Sequence, residues 1–467
     1  MEPTPATGGP DGRVTGVVLI TVDSLRADAL GPTAAPTLTE LADRAATFER
    51  CFAAGNWTPF AFPSILGSAP VFDDSDGVGL GEGPALAEQL SRAGVTTAGF
   101  NAANGFLTGH WGYGRGFGRF EPFLDDSKRL AAHPTVKGWA QLATAPFRRA
   151  VGRLRGSDRP AVDVSHLRDV EGRAAAFLRS VEGPFFLWVH YMDTHTPYVP
   201  APRHLRAVGT PGVGLLERLR AHLHTGLGRG IDDDTLGALR SLYRGAVHQV
   251  DASVGRLLET LEETGLGDST AVVVTGDHGE EFQDHGHLAH YPKLYDELVR
   301  VPLLVDLPGA GARRVEAPVG HAALGPTVCD ALDVPTDPFE AGSLLPAVGD
   351  GAPLDRAPVT SVAVRGPTVT HQPIPRRLDE GELLVSARDE RYTYIRHTDT
   401  GRTELYDRAD DPGERRDRSG DGTVPQSVVE PLHAATERRA RRVGGDGDDR
   451  RETPDALDER LAALGYR

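Results

Sequence analysis

Cysteine and lysine are nearly missing from this 467-residue chain: two of the first, Cys51 and Cys329, and three of the second, Lys128, Lys137 and Lys293. Two cysteines cannot build a disulfide framework, and these two lack the paired spacing of a zinc motif, so the sequence reads as a protein of a reducing compartment. With so little lysine the basic side is carried by arginine, and 50 basic against 66 acidic residues leave a formal charge of −16. A surface this acidic and lysine-poor suggests a high-salt habitat and gives a nucleic-acid partner no support. Long hydrophobic runs are also missing. The first apolar stretch, Val17 to Val22, falls far short of the roughly 20 residues of a membrane span, and the start from Met1 to Arg13 is polar. The expectation is a cytoplasmic protein without a membrane span.

What is present suits a loop-rich globular enzyme: 39% hydrophobic residues with 55 glycines and 35 prolines. The length exceeds what one core usually serves, so a large domain and a smaller one are expected. Three short apolar runs read as buried strands, and each ends in polar groups. Val17 to Val22 runs into Asp23-Ser24, Phe185 to Val189 into His190 and Asp193, and Ala271 to Thr275 into Gly276-Asp277-His278-Gly279. Buried strands delivering carboxylates and imidazoles at their carboxyl ends are the pattern of an open α/β sheet with its site along that edge. Helical spacing over Pro36 to Phe48, Pro84 to Ala93 and Leu242 to Leu261 alternates with those strands. The fold class is therefore a three-layer α/β/α sandwich around a large, mainly parallel sheet. After about Leu345 the pattern changes to alternating segments such as Leu383 to Ser386 and Tyr392 to Ile395, then a charged helix toward Arg467. We expect a flexible N-terminus over 1–14, a catalytic domain over 15–345 and a small α+β subdomain with an antiparallel sheet over 346–467. Two stretches, Asp125 to Asp163 and Ala201 to Gly237, look like insertions, both helical. The arginine cluster in the first, Arg148 to Arg159, is read as a solvated helix face. Gly444 to Arg451 reads as a loop.

The tripeptide Asp277-His278-Gly279 carries the most chemical information, because a carboxylate and an imidazole at one strand end can reach the same divalent ion, and glycine lets the backbone turn. Glu280, Glu281, Asp284, His285, His287 and His290 follow closely. Titratable groups crowded into one loop are costly unless an ion or an anion is bound.

Over Thr275 to Glu280, His285-Gly286, Leu294 to Glu297 and Arg300-Val-Pro302-Leu303, the chain closely resembles the sulfatase family of the alkaline-phosphatase-like superfamily. Val18 to Leu30 is similar to that family's opening strand and first metal ligand, and His190 to Tyr198 to its central substrate-binding segment. Gly325-Pro-Thr327 with Gly342-Ser343-Leu344, Glu404 to Asp407 with Asp411-Pro412 and Glu414, and Leu461 to Tyr466 match further segments in order. The resemblance implies an ester hydrolase with one divalent cation held by Asp23, Thr58, Asp277 and His278. It implies that His195 faces the transferring group, that His290 or Lys293 protonates the leaving oxygen, and that the partner is a small-molecule or glycan ester. Arg26 is a candidate for anion binding, against an ion pair with Asp28 or Asp23. His248 and Asp251 are read as structural.

The departures from the family pattern are informative. Typical sulfatases carry Cys-x-Pro-Ser-Arg, whose cysteine becomes formylglycine; here the stretch reads Trp57-Thr58-Pro59-Phe-Ala-Phe-Pro63-Ser64-Ile-Leu-Gly67. Thr58 falls in the nucleophile position, with Ser64 as the rival. Cys51 lies too early and is read as core. A threonine ester cannot collapse to an aldehyde as a formylglycine hydrate does, so it needs a second nucleophile, which phosphorus tolerates better than sulfur. The chain thus resembles a haloarchaeal-type member lacking the formylglycine cysteine. Ser24 replaces a second aspartate of typical sulfatases, which with His278 favours manganese, zinc or magnesium over calcium. Hydrolysis of a phosphate or sulfate ester is the leading expectation. Transfer of a phospho-group to a glycan or lipid alcohol, and non-catalytic binding of a glycan or anion, are the alternatives. Nothing in the sequence points to an oligomeric state.

Overall fold

The computed structural model describes residues 13–73, 77–124, 165–210, 231–365 and 381–443. The insertion at 125–163, positions 211–230 of the second insertion, the loop at 444–451 and the ending at 461–466 lie outside the described residues.

Fifteen strands are described: β1 (Gly16–Val22), β2 (Ala46–Phe52), β3 (Thr96–Asn101), β4 (Arg119–Glu121), β5 (Phe185–Tyr191), β6 (Thr270–Gly276), β7 (Glu281–Phe282), β8 (Leu288–Ala289), β9 (Arg300–Asp306), β10 (Arg313–Val315), β11 (Val319–Gly320), β12 (Val359–Arg365), β13 (Glu382–Arg388), β14 (Tyr392–His397) and β15 (Thr403–Asp407). The main sheet runs β10-β2-β9-β6-β1-β5-β3-β4, with β11 also on β2. Its pairs are parallel except where β9 lies antiparallel to β2 and β6. The three runs read as buried strands sit together at its centre, β6-β1-β5, and every residue of the three is buried. A strand covered on both faces gains nothing from polar alternation, which is why their sequences are continuous apolar runs.

Side chains alternate across these strands and divide the core in two. Val17, Leu19, Phe186, Trp188, Ala271 and Val273 face one layer, with α2 (Thr58–Gly67), α3 (Leu86–Arg92) and the helix Leu324–Ala331. Val18, Ile20, Leu187, Val189, Val272 and Val274 face the other, built from α1 (Pro36–Ala42), the helix Leu167–Leu178 and the long helix Asp233–Glu263. The layered sandwich is as expected. One boundary differs: the helical reading of Pro36 to Phe48 holds only to Ala42, and Ala46–Phe52 is β2. Apolar spacing alone does not separate the two, and pairing with β9 and β10 decides the second half. The long helix starts nine residues before the expected Leu242, capped by Asp232, whose side chain accepts the Thr235 N–H.

The smaller antiparallel sheet, β12-β13-β14-β15, packs against the helix Gln426–Arg442. It is tied to the large sheet through Arg388, which is fully buried with Nε 3.1 Å from Asp296. Its other nitrogens donate to the Ser386 hydroxyl and the Leu294 carbonyl, and the guanidinium lies over the Phe52 ring of β2. Removing one member of a buried ion pair strands the other. Arg388→Ala is therefore expected to cost about 3–5 kcal/mol, read as a lower urea midpoint; an unchanged midpoint would show that the junction contributes nothing to stability.

Candidate functional site

The alternation that builds the core also aims the chemistry. Asp23 and Asp277 extend the α2-facing rows of β1 and β6, and His190 closes that row in β5. Past β1 the chain turns sharply, with Ser24 in the left-handed region at φ 57°. Three contacts hold that costly conformation. The Ser24 N–H donates to Asp277 Oδ1 at 3.0 Å, its hydroxyl donates to Asp23 Oδ1 at 2.9 Å, and its carbonyl accepts the Tyr243 hydroxyl at 2.8 Å. Thr194 fixes Asp23 from behind by donating to its carbonyl. Gly279 is required by proximity, because a Cβ there would stand 2.0 Å from the Glu297 carbonyl oxygen.

Thr58 is the first residue of α2, preceded by extended Trp57 and followed by Pro59. Proline is tolerated there because the first helical N–H groups have no acceptor within the helix. Every residue of α2 is buried. The Thr58 hydroxyl donates to Asp23 Oδ2 at 3.1 Å and lies 3.4 Å from His278 Nε2. It sits at the positive end of the helix, where negative charge is favoured. The rival Ser64 is on the last turn of α2, its hydroxyl on the Ala69 carbonyl.

Three imidazoles stand together over this centre: the His278 and His195 rings are each 5.1 Å from that of His290. Asn56, two residues before Thr58, donates to the carbonyls of His290 and Tyr291 and so couples their loop to the start of α2. Two residues expected at the substrate are engaged elsewhere. Arg26 donates to Asp28, Asp284 and the Glu280 carbonyl, so its guanidinium is committed to carboxylates, with Asp28 and not Asp23 as its sequence-local partner. Lys293 Nζ donates to the His285 carbonyl and lies over the rings of Tyr291 and Tyr295. Asp251 accepts the Thr37 and Leu38 N–H groups at the start of α1, and Cys51 is fully buried in β2.

Three further residues belong to this place. His190 Nε2 is 3.7 Å from Asp23 Oδ2, Asn104 donates to the same oxygen at 3.2 Å, and Glu280 is fully buried with Oε1 3.9 Å from His290 Nδ1. His190 had two signals, its place at a strand end and the resemblance of His190 to Tyr198 to a substrate-binding segment. Glu280 had the crowding after Asp277 and the Thr275 to Glu280 resemblance, and Asn104 had no signal.

Burial opposes ionisation of both aspartates, yet the surrounding His195, His190 and His278 hold Asp23 well below the usual carboxylate range. Asp277, buried beside that charge, is pushed up. Burial pushes the Glu280 carboxyl up as well, and pushes His195, His278 and His290 down toward the neutral ring. A divalent cation suits this set. Asp277 Oδ2 is buried without a hydrogen-bond partner. His278 Nδ1 is 2.8 Å from the Gly279 carbonyl, so we assign its proton there, which leaves Nε2 as a lone pair 3.7 Å from Asp23 Oδ1 and 3.8 Å from Asp277 Oδ2. Donors about 2.0–2.2 Å from one cation stand roughly 3–4 Å apart, as His278 Nε2 does from each aspartate.

The family model described as Sulfatase matches residues 15–334. The chain belongs to the sulfatase family. Its similarity to named members is partial. The multifunctional alkaline phosphatase superfamily protein PehA of Trinickia caryophylli is 28% identical over 212 residues, 39% of this chain and 41% of that protein. The Δ4,5-hexuronate-2-O-sulfatase of Bacteroides thetaiotaomicron is 27% identical over 187 residues, 39% of this chain and 37% of that one. The chain thus spans about two fifths of the curated relatives it matches. Among solved structures, this sulfatase-family chain superposes on the phosphonate monoester hydrolase of Agrobacterium radiobacter with a TM-score of 0.65, at 21% identity over 92% of this chain and 96% of that one. It superposes on a protein bound to its substrate D-glucosamine-2-N,6-O-disulfate with a TM-score of 0.69, at 17% identity over 94% and 100% of the two chains. At these identities both establish the alkaline-phosphatase-like fold.

His285 anchors the site loop of this family member to the smaller sheet's side of the molecule. Its Nδ1 is 2.5 Å from Glu297 Oε1 and its Nε2 3.0 Å from the Glu414 carbonyl. Burial disfavours the imidazolium, but Glu297 outweighs it and the pKa is raised. Stability from this pair is complete below the ordinary histidine value of about 6.5 and is lost as pH rises through the raised one. His285→Gln is expected to flatten that fall in melting temperature across the same window; equal pH profiles for the two proteins would mean the pair carries no charge.

Proposed function

We propose that this protein is a metal-dependent ester hydrolase that uses Thr58 as its nucleophile, with phosphorus esters of a small molecule or glycan favoured over sulfate esters. The observation that carries the reading is the Thr58 hydroxyl itself. It is fully buried, at the positive end of α2, within 3.1 Å of Asp23 and 3.4 Å of His278. Asp23, Thr58, Asp277 and His278 would hold one divalent cation, with manganese, zinc or magnesium favoured over calcium by the imidazole. Bound there, the cation lowers the pKa of the threonine hydroxyl and offsets charge on the ester oxygens.

The chain's own groups supply the rest. Thr58 Oγ1, its proton released to solvent, attacks phosphorus as the bond to the alcohol oxygen breaks. His195 and His290 face the incoming group. Burial favours the neutral ring of both, and an arriving negative charge favours their protonated forms. His290 then gives its proton to the departing alkoxide, and His195 stabilises charge on the transferring group. Water attacks the phosphothreonine, the threonine–phosphorus bond breaks, and the hydroxyl is restored. The threonine in place of cysteine supports phosphorus, because hydrolysis of the intermediate is its one exit. The acidic, lysine-poor composition suits a haloarchaeal-type cytoplasm.

Brief incubation of the metal-loaded protein with an aryl phosphate, followed by peptide mass spectrometry, is expected to place a phosphoryl group on the Thr58 peptide. Thr58→Ala should lose activity by at least about 10³-fold. A label on Ser64, or sulfate release with Thr58 unlabelled, would overturn the assignment.

A further inference from the structure

His190 is a buried imidazole to which the four-ligand reading gives no role. Its side chain is fully buried in β5, with the Phe62 ring of α2 packed nearly perpendicular to it at 5.1 Å. One nitrogen is accounted for. Nδ1 lies 2.9 Å from Thr21 Oγ1, which also accepts the Trp188 indole N–H at 3.0 Å. The Thr21 hydroxyl also reaches the Val189 carbonyl, at 3.4 Å. We assign the hydrogen between Thr21 and His190 to Nδ1, the tautomer that a ligating Nε2 requires.

Nε2 is then a lone pair with no hydrogen-bond partner among the described residues, 3.7 Å from Asp23 Oδ2. That distance is too long for a hydrogen bond. Asp277 Oδ2 is a second buried polar atom without a hydrogen-bond partner. Ligand atoms of Asp23, His190 and Asp277 all lie within 4.8 Å of one another. One cation between them would engage both unpartnered atoms, and the Thr21 hydroxyl would then be the outer partner that fixes the ring.

We propose that His190 Nε2 is a ligand of the divalent cation, so that the centre binds through two imidazoles, His190 and His278, together with Asp23, Asp277 and Thr58. This inference rests on the metal-dependent reading above and sharpens it. Two nitrogen donors select a zinc- or manganese-class transition ion against calcium and magnesium, which prefer oxygen.

The test uses the full chain, stripped with a chelator and reloaded, and reads binding instead of turnover. Pulsed electron paramagnetic resonance of the manganese-loaded protein is expected to count two imidazole nitrogens on the ion, and one in His190→Gln. Chelator competition should show zinc held at one ion per chain, not displaced by excess calcium, and at least about tenfold weaker in His190→Gln. One nitrogen in the unaltered protein, or unchanged zinc affinity in a folded variant, would overturn the role of His190 and leave the four-residue site standing. Failure of the unaltered protein to bind a stoichiometric ion would overturn the cation site and His190 with it. Should His190→Gln not fold, the nitrogen count on the unaltered protein decides.

Discussion

The structure turns on two aspartates that face each other in a dry interior. Asp23 and Asp277 end adjacent central strands, both fully exclude water, and Ser24 bridges them by bonding to each. Placing two carboxylates so close carries a large electrostatic penalty, since burial disfavours charge on either and the charge on one disfavours charge on the other. What offsets the penalty also makes the place useful. His190 and His278 come within 3.7 Å of Asp23, and α2 presents its positive end to it through Thr58.

The rest of the fold serves that convergence. The strands deliver Asp23, His190 and Asp277 to one face because residues two apart point the same way, and the parallel register brings their ends level. The long helix braces the turn after β1 through Tyr243, while α2 brings Thr58 down onto the pair. Asn56 and His285 secure opposite ends of the loop that carries His290, the latter through Glu297 and the Glu414 carbonyl. Buried residues thus hold the chemistry at distances that surface loops could not keep.

What was legible in the sequence follows from how local each signal is. The central strands were readable because strands covered on both faces are uninterrupted apolar runs, and their polar endings marked the edge of the sheet. Thr58 was reachable through the family resemblance, and its place at the start of α2 fits Pro59 beside it. The turn between α1 and β2 was not readable, because Leu38, Leu41, Ala45 and Phe48 keep helical spacing through it and only pairing with β9 reveals the strand. Arg26 is a charged residue whose role is decided by its partners. Asp284 is far away in sequence, and with Asp28 it occupies the guanidinium. His190 and Asn104 could not be assigned before the sheet order was known, since what they face belongs to other segments. Family resemblance pointed to Asp23, Thr58, Asp277 and His278, which share its motifs, and gave Asn104 no place.

The proposed chemistry depends on a cation seated between the two aspartates and in reach of the Thr58 hydroxyl. Anomalous diffraction from crystals of the protein loaded with zinc, recorded on both sides of the absorption edge, tests this most directly. One strong peak is expected, enclosed by Asp23, Asp277, His278 and Thr58 Oγ1. A peak elsewhere, or none at this place in a protein that contains the metal, would contradict it.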